Sequence, residues 1–151
     1  MNTDPLQIVR ELLIQPGTDL SALVGGRVYF PHLPDNPPGG VAVFDNTAPG
    51  VLLVGLGGEP LAQAVGVSVD VEIRCFGGGT ALRKTARDAW ACYSALRDAL
   101  VDGEGRFLSM VRLVSGTVIS VDEETTGSHA VEPGLNWPFV SSNWTFEVSA
   151  S

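Results

Sequence analysis

Every second residue from Val65 to Cys75 is apolar, and polar residues stand between most of them. The apolar positions are Val65, Val67, Val69, Val71, Ile73 and Cys75, and the polar positions between them include Ser68, Asp70, Glu72 and Arg74. A period of two over this length predicts a β-strand with one face against a core and the other in water.

The pattern changes after the glycines at 77–79, where Thr80 begins a segment with apolar residues spaced three or four apart. These residues are Leu82, Ala86, Ala89, Tyr93, Leu96 and Leu100. This spacing predicts one long amphipathic helix over 80–100. A strand, a glycine corner and a helix in succession predict an α+β unit with the helix packed across an antiparallel sheet.

The rest of the chain supplies a short N-terminal helix, capped by Thr3 or Asp4 with Pro5 at its first position, and several further strands. We expect these strands at 27–30, 41–46, 110–122 and 138–150, with Gly116 as a bulge or a break.

We expect long loops at 31–40, 47–64 and 122–137 because these segments are rich in glycine, proline or polar residues. Within the second loop, 51–56 is either a further strand or an apolar loop arm. The resulting prediction is a single α+β domain over 1–151. It has one antiparallel or mixed sheet of four to five strands, with both helices on one face.

Composition narrows the class of protein. The chain is 44% hydrophobic and only 17% charged, which indicates a folded domain. Seventeen acidic residues outnumber nine basic ones, giving a net charge of −8, and this disfavours direct binding of nucleic-acid phosphates. No segment resembles a signal peptide or is long enough to span a bilayer, so we expect a soluble protein made in a cytoplasm.

Residues that could carry chemistry are few and scattered. Cys75 and Cys92 are interpreted as buried thiols, with a disulfide or reactive thiols as alternatives. His32 and His129 are expected in loops, without metal-ligand spacing. The glycines at 77–79 lack a phosphate-binding signature, and the acidic residues at 122–124 lack calcium-site spacing. We therefore predict no catalytic, cofactor-binding or metal-binding residues and no enzyme activity.

Charges on the predicted helix run against its dipole. Arg83, Lys84 and Arg87 lie in its N-terminal half, whereas Asp98 and Asp102 lie at its C-terminal end. Each misplaced charge costs roughly 0.3–1 kcal/mol when exposed. One interpretation is that neighbouring subunits supply the compensating charges, so that the basic and acidic ends form an interface. The other is that the charges are simply solvated.

Two apolar features are further interface candidates. Val51, Leu52 and Leu53 belong to the glycine-flanked arm, whose apolar content predicts contact with another subunit. Trp137, beside Pro138, is interpreted either as an interface residue or as part of loop packing.

The order of these features resembles a phage protein family. The segment Leu23-Val24-Gly25-Gly26-Arg27-Val28-Tyr29-Phe30-Pro31 follows a short helix and precedes a proline-rich loop and the strand Val41-Ala42-Val43-Phe44. The strand at 67–75, the helix at 80–100 and a last strand after Asn136-Trp137-Pro138 complete the order. The chain thereby resembles the tail terminator, or tail completion, proteins of long-tailed bacteriophages. It departs from them in the arm at 47–64 and in its acidic balance.

The resemblance implies a structural virion protein without an active site. Such a protein forms a homohexameric ring that caps the completed tail tube, ends tube polymerisation and offers a joining surface to the head. Its partners are the tail tube protein and the head–tail connector or stopper, and genomic DNA passes through the lumen without specific binding. The expected location is the head-proximal end of the tail, assembled in the host cytoplasm and away from any membrane.

Other functions remain open at this point. One alternative within the same class is a head–tail connector or stopper of the neck. The alternatives from different classes are a small-ligand-binding module and an enzyme that uses the glycine-rich corner. A ligand-binding module would be a compact monomer with a concave apolar pocket, whereas a terminator would assemble into a closed ring.

Overall fold

A six-stranded mixed sheet with three helices forms the described part of the protein. A computed structural model describes residues 4–30, 49–60, 66–78, 82–132 and 137–150. The elements are α1 (Pro5–Leu13), α2 (Asp19–Val24), β1 (Val28–Tyr29), β2 (Gly50–Pro60), β3 (Val67–Phe76), α3 (Leu82–Ala99), β4 (Ser109–Arg112), β5 (Gly116–Glu132) and β6 (Trp137–Ala150).

The strand order is β1-β2-β3-β6-β5-β4, with β1 parallel to β2 and every other pair antiparallel. The predicted α+β class with a mixed sheet is confirmed, but the described sheet has six strands rather than four to five. The helices contain 9, 6 and 18 residues, so the long helix that the sequence predicts over 80–100 is, as α3, a helix of ordinary length for a globular protein.

The alternation in β3 produces the two different faces that the sequence predicts. Val71, Ile73 and Cys75 are fully buried on one face, whereas Asp70 on the other face is exposed. We call the buried side, which faces the helices, the inner face of the sheet, and the opposite side the outer face. β3 lies between β2 and β6, so both of its edges are hydrogen-bonded.

The main core fills the space between the inner face and the helices. Trp144 and Phe146 of β6 are its largest sheet residues, and both are fully buried. Helix α1 contributes Ile8 and Leu13, and α3 contributes Leu96. Burying one such side chain is worth about 1.5–3 kcal/mol, so this layer is the main source of stability.

The glycine-arginine motif in the N-terminal segment joins α2 to the sheet edge. Gly25 ends α2 with a φ of 56°, a conformation that glycine adopts without steric cost. The Arg27 guanidinium then donates to the backbone oxygens of Pro49 at 2.8 Å and Leu23 at 2.8 Å. The motif thus fixes α2 against the beginning of β2.

Of the two alternatives for 51–56, the further strand is confirmed, because β2 occupies 50–60 and replaces most of the described part of the predicted loop at 47–64. β2 pairs with β3 over its whole length, and a bulge between Gly55 and Gly57 absorbs one extra residue. Gly57 has a φ of 108°, and a side chain at Gly58 would collide with the Ser68 carbonyl oxygen. The glycines therefore fit a bulged strand rather than a free arm.

The predicted loop at 122–137 is also wrong for its described part, because β5 continues to Glu132. It pairs with β6 along its length through several register shifts, so the polar run belongs to a strand with a solvated face. The preceding strand is broken before Gly116, which is one of the two alternatives that the sequence allows. A side chain at Gly116 would collide with the Ser149 carbonyl oxygen, which explains the glycine.

Two further sequence predictions fall on other parts of the chain. The short N-terminal helix is confirmed, with the Asp4 side chain accepting from the Leu6 N–H at 2.9 Å. The predicted loop at 31–40 and strand at 41–46 lie outside the described residues.

Ser142 is the one buried polar residue among the described core positions, and it holds the Trp144 indole. The indole Nε1 donates to the Ser142 hydroxyl at 2.8 Å. We expect Ser142→Ala to lower the free energy of unfolding by about 1–2 kcal/mol, because the buried N–H loses its acceptor. Urea denaturation followed by circular dichroism measures this. Ser128→Ala, at an exposed position of β5, is the control, and equal losses in both variants would contradict the assignment.

Candidate interaction surfaces

The charged ends of α3 are only partly available for an interface. Arg87 is exposed and Asp98 is exposed, on the same side of the helix. Arg83 and Lys84 belong to α3, but their side chains lie outside the described structure. The basic half of the predicted interface is thus represented here by Arg87 alone.

Asp102 is engaged within its own turn. Its Oδ1 accepts from the backbone N–H groups of Glu104 at 2.8 Å and Arg106 at 3.0 Å. Those two hydrogen bonds lower the pKa of Asp102 below its ordinary value. The Arg106 Nε also lies 3.6 Å from its Oδ2. Asp102 therefore stabilises the turn after α3, and its role as a complement for a neighbouring basic surface stays a prediction.

The apolar candidates Val51, Leu52 and Leu53 are buried within the chain itself. Val51 and Leu53 are 0% exposed in the main core, and Leu52 is 5% exposed in a small cluster on the outer face with Phe76 and Phe139. Their predicted role as an exposed contact is wrong. Because β2 is paired within the sheet, its side chains point alternately into the main core and into the apolar cluster on the outer face.

Trp137 begins β6, where it pairs with Glu132. Its side chain lies outside the described structure, so its predicted interface role stays a prediction.

Helices α2 and α3 leave an open groove between them, which we call the α2–α3 groove. Its volume is about 450 Å³. Small residues, one leucine and two carboxylates line it. The lining residues are Asp19, Ala22, Leu23, Ala91, Ser94, Ala95 and Asp98. Leu23 is 37% exposed, so the groove offers apolar surface between two acidic groups.

The opposite edge of the sheet carries exposed apolar and basic side chains. We call residues 109–114, which comprise β4 and the two residues after it, the β4 edge. Met110 is 64% exposed and Val114 is 91% exposed, with the exposed Arg112 between them. Within the described chain, β4 is hydrogen-bonded to β5 only, so its other edge is open.

Glu11 of α1 fixes the turn that ends the β4 edge. Its carboxylate accepts from the N–H groups of Val114 at 2.7 Å and Ser115 at 3.0 Å, and from the Ser115 hydroxyl. The hydroxyl hydrogen bond, supported by the two N–H groups, lowers the pKa of Glu11 against a small opposing effect of burial. This contact ties α1 to the turn between β4 and β5.

The low pKa of Glu11 makes this contact sensitive to acid. Because the pKa is lower in the folded chain than in the unfolded one, the stabilisation is complete above about pH 4.3 and is lost as the pH falls through the folded pKa. We expect Glu11→Gln to lower the free energy of unfolding by about 1 kcal/mol at pH 7, a value kept small by solvent screening.

Urea denaturation at pH 7 and at pH 3 measures this effect, and the difference between wild type and Glu11→Gln should shrink at the lower pH. Glu104→Gln, in the exposed turn after α3, is the control. A difference that does not change with pH would contradict the role of the Glu11 charge.

The outer face of the sheet is polar and acidic at its centre. The acidic residues there are Asp70, Glu72, Asp122, Glu124 and Glu147, placed by strand alternation and register. The Thr145 hydroxyl contacts Asp70 at 2.7 Å and Glu124 at 2.9 Å, joining three strands.

Glu72 is the best-anchored carboxylate of this face. Burial raises its pKa, but hydrogen bonds from Arg74 at 3.1 Å and Ser141 at 2.5 Å outweigh that effect and leave the pKa lowered. Arg74 also lies over the Phe139 ring, 5.0 Å from its centroid. The hydrogen bonds hold Glu72 charged on the outer face.

On the inner face, Glu123 joins α3 to β5. Its carboxylate accepts from the Tyr93 hydroxyl at 2.6 Å and the Arg97 Nε at 2.9 Å, and its side chain is 5% exposed. Burial, followed by the hydrogen bond to Glu123, raises the pKa of Tyr93. The cluster is a structural connection, because both oxygens of its carboxylate are occupied by groups of α3.

The remaining candidates for chemistry are dispersed. Cys75 and Cys92 are both buried free thiols, which confirms the first of the three interpretations, and burial raises the pKa of Cys75 far above its ordinary value. His129 lies exposed on β5 rather than in a loop, and His32 is outside the described residues. Across the described ranges, no three His, Cys, Asp or Glu side chains are arranged to hold a metal ion.

Neither the protein-family models nor the curated proteins match this chain. The surfaces described above are therefore the basis for proposing a function. Among the described helices, none combines the length and apolar character needed to cross a membrane.

Sequence reasoning missed both the α2–α3 groove and the β4 edge. The small residues Ala91 and Ala95, four apart and followed by Asp98, were a detectable signal for a groove on α3. The apolar-basic run Met110-Val111-Arg112 was the signal for the edge, but only the strand register shows which of these side chains point outward.

Proposed function

We propose that this chain is a structural subunit of a phage tail. In this proposal, copies close into a ring, six by resemblance to tail terminator proteins, and the ring caps the completed tail tube. It stops the addition of further tube protein and presents its other side to the head–tail connector or stopper. The chain acts without catalysis or a cofactor.

The observation that carries the proposal is the acidic outer face of the sheet. Five carboxylates on β3, β5 and β6 lie on it, against two arginines, Arg74 beside Glu72 and Arg112 at the β4 edge. A lumen lined by such a face repels DNA phosphates at short range and lets DNA pass without sticking. The hydroxyls of Ser141 and Thr145 contact three of these carboxylates, on Glu72, Asp70 and Glu124.

A ring also needs two different contact surfaces on each subunit. The α2–α3 groove and the β4 edge differ in shape and in charge, which favours a head-to-tail contact over a two-fold one. None of the five carboxylates of the outer face belongs to either surface. The layout of the chain therefore agrees with a ring subunit that is incomplete on its own.

The location follows from this role. We place the ring in the virion, at the head-proximal end of the tail, after assembly in the host cytoplasm. The same fold would serve a connector or stopper of the neck, which contacts the head connector but does not stop tube growth. The test below separates these two positions.

The test uses tube protein from the same phage genome, polymerised in the presence and absence of this chain. Electron microscopy with a gold-labelled chain should show label at one end of each tube and tubes that no longer elongate when more tube protein is added. Label along the sides, or continued growth from labelled ends, would contradict a terminator. Binding to the purified head connector without any effect on tubes would assign the chain to the neck instead.

A further inference from the structure

We propose that the α2–α3 groove binds the β4 edge of a second copy of this chain. The contact joins copies head to tail. The inference rests on the proposed function, because it identifies the two surfaces through which the ring would form. Each copy offers one groove and one edge, so every subunit has two neighbours.

The groove suits a strand edge that carries one cation between apolar side chains. Ala22, Ala91 and Ala95 leave space for larger apolar groups, and Leu23 adds exposed apolar surface. The carboxylates of Asp19 and Asp98 line the same groove. Within the described chain neither carboxylate forms an ion pair.

The β4 edge has the complementary chemistry. Met110 and Val114 are among the most exposed large apolar residues described, and burying them removes apolar surface from water. Arg112 lies between them and makes no ion pair to a described residue. The nearby Glu11 carboxylate is already occupied by Val114 and Ser115. Arg112 is therefore free to pair with Asp19 and Asp98 of a neighbour.

The two surfaces lie at opposite ends of the strand order, and α1 contacts the chain beside both through Arg10 and Glu11. Helix α2 leads directly into β1 and packs against α3 and β2, at one end of the strand order. β4 is the last strand at the other end. Because the groove and the edge are different surfaces, each addition leaves a free groove and a free edge, and a rotation that closes gives a ring.

The test is a charge exchange across the contact. Arg112→Glu and Asp98→Arg should each weaken self-association by about tenfold or more, because each places like charges opposite each other. An equimolar mixture of the two variants should regain association, since the new carboxylate at position 112 of one copy then meets the new guanidinium at position 98 of the other. Every second contact in the mixture is native. Sedimentation velocity over a concentration series measures all three samples, with circular dichroism to confirm folding.

Arg106→Glu is the matched control, because it reverses an exposed cation in the turn after α3, outside both the groove and the β4 edge. It should associate as the wild type does. Wild-type association in the Arg112→Glu or Asp98→Arg variant, or no recovery in the mixture, would overturn this contact. A wild-type chain that stays monomeric at every concentration would overturn it as well.

The two proposals fail in different ways. A wild-type ring that is unaffected by the charge exchange rejects this contact and leaves the terminator function standing. Recovery in the mixture, combined with no effect on tube growth, confirms the contact and rejects the terminator function.

Discussion

Trp144→Ala should lower the free energy of unfolding by about 3–5 kcal/mol, the largest effect we expect from a single substitution. Trp144 is fully buried at the centre of the core, where it packs against Phe107 at 5.8 Å and Phe146 at 6.5 Å between ring centroids. The alanine leaves a cavity that rigid strands on both sides of β6 cannot close. A domain of this size is stable by only about 5–15 kcal/mol, so the loss is a large fraction of the total.

Guanidinium denaturation followed by circular dichroism measures this effect without depending on tryptophan fluorescence. Trp90→Ala is the matched control, because Trp90 is 44% exposed and rests against Tyr93 with one edge only. We expect the control to cost about 1 kcal/mol or less. Similar losses in the two variants would show that β6 does not pass through the centre of the core.

Glu123→Ala is expected to lower the free energy of unfolding by about 2–3 kcal/mol. The substitution removes the shared acceptor of Tyr93 and Arg97, and hydrogen bonds to a charged group are worth about 1.5–3 kcal/mol. The partly buried Tyr93 hydroxyl keeps its hydrogen bond from the Gly127 N–H but loses the group to which it donates. The contact between α3 and β5 is then weakened.

The same denaturation experiment measures the Glu123→Ala variant. Glu124→Ala, one residue further along β5, is the control, because that exposed side chain contacts only the Thr145 hydroxyl and should cost less than about 1 kcal/mol. Spectrophotometric titration adds a second readout: the pKa of Tyr93 should fall in Glu123→Ala, since the carboxylate helps to raise it. An unchanged tyrosine titration together with equal stabilities would contradict the connection.

The sequence predicts well those elements in which the periodicity of apolar and polar residues matches one buried face and one exposed face. β3 alternates because one face is buried, and Val71, Ile73 and Cys75 are buried as the pattern requires. The apolar stripe of α3 likewise places Ala89, Cys92 and Leu96 in the core. In both cases the periodicity of the chain contains the structural information.

The errors occur where pairing with another strand decides the structure. The glycines of β2 and the polar run of β5 have low strand propensity, and each becomes a strand because a regular neighbour, β3 or β6, hydrogen-bonds it. Bulges absorb the residues that do not fit. Register is a long-range property, so local composition predicts loops in both places.

The candidate surfaces are harder to predict than the fold. The flanking glycines predict exposure for Val51 and Leu53, but the pairing of β2 within the sheet points both side chains into the core. The charge of Asp98 relative to the helix dipole marks it as an interface candidate, and the structure adds the groove beside it. The groove itself depends on how α2 lies against α3, which no pattern within either helix determines.

The central claim is that copies of this chain close into a ring. Light scattering of the purified protein over a wide concentration range, in low and high salt, tests it most directly. The account predicts one discrete species of six chains that persists on dilution and loosens in high salt as the Arg112 contacts are screened. A monomer at all concentrations, or aggregates that grow without limit as concentration rises, would contradict the ring.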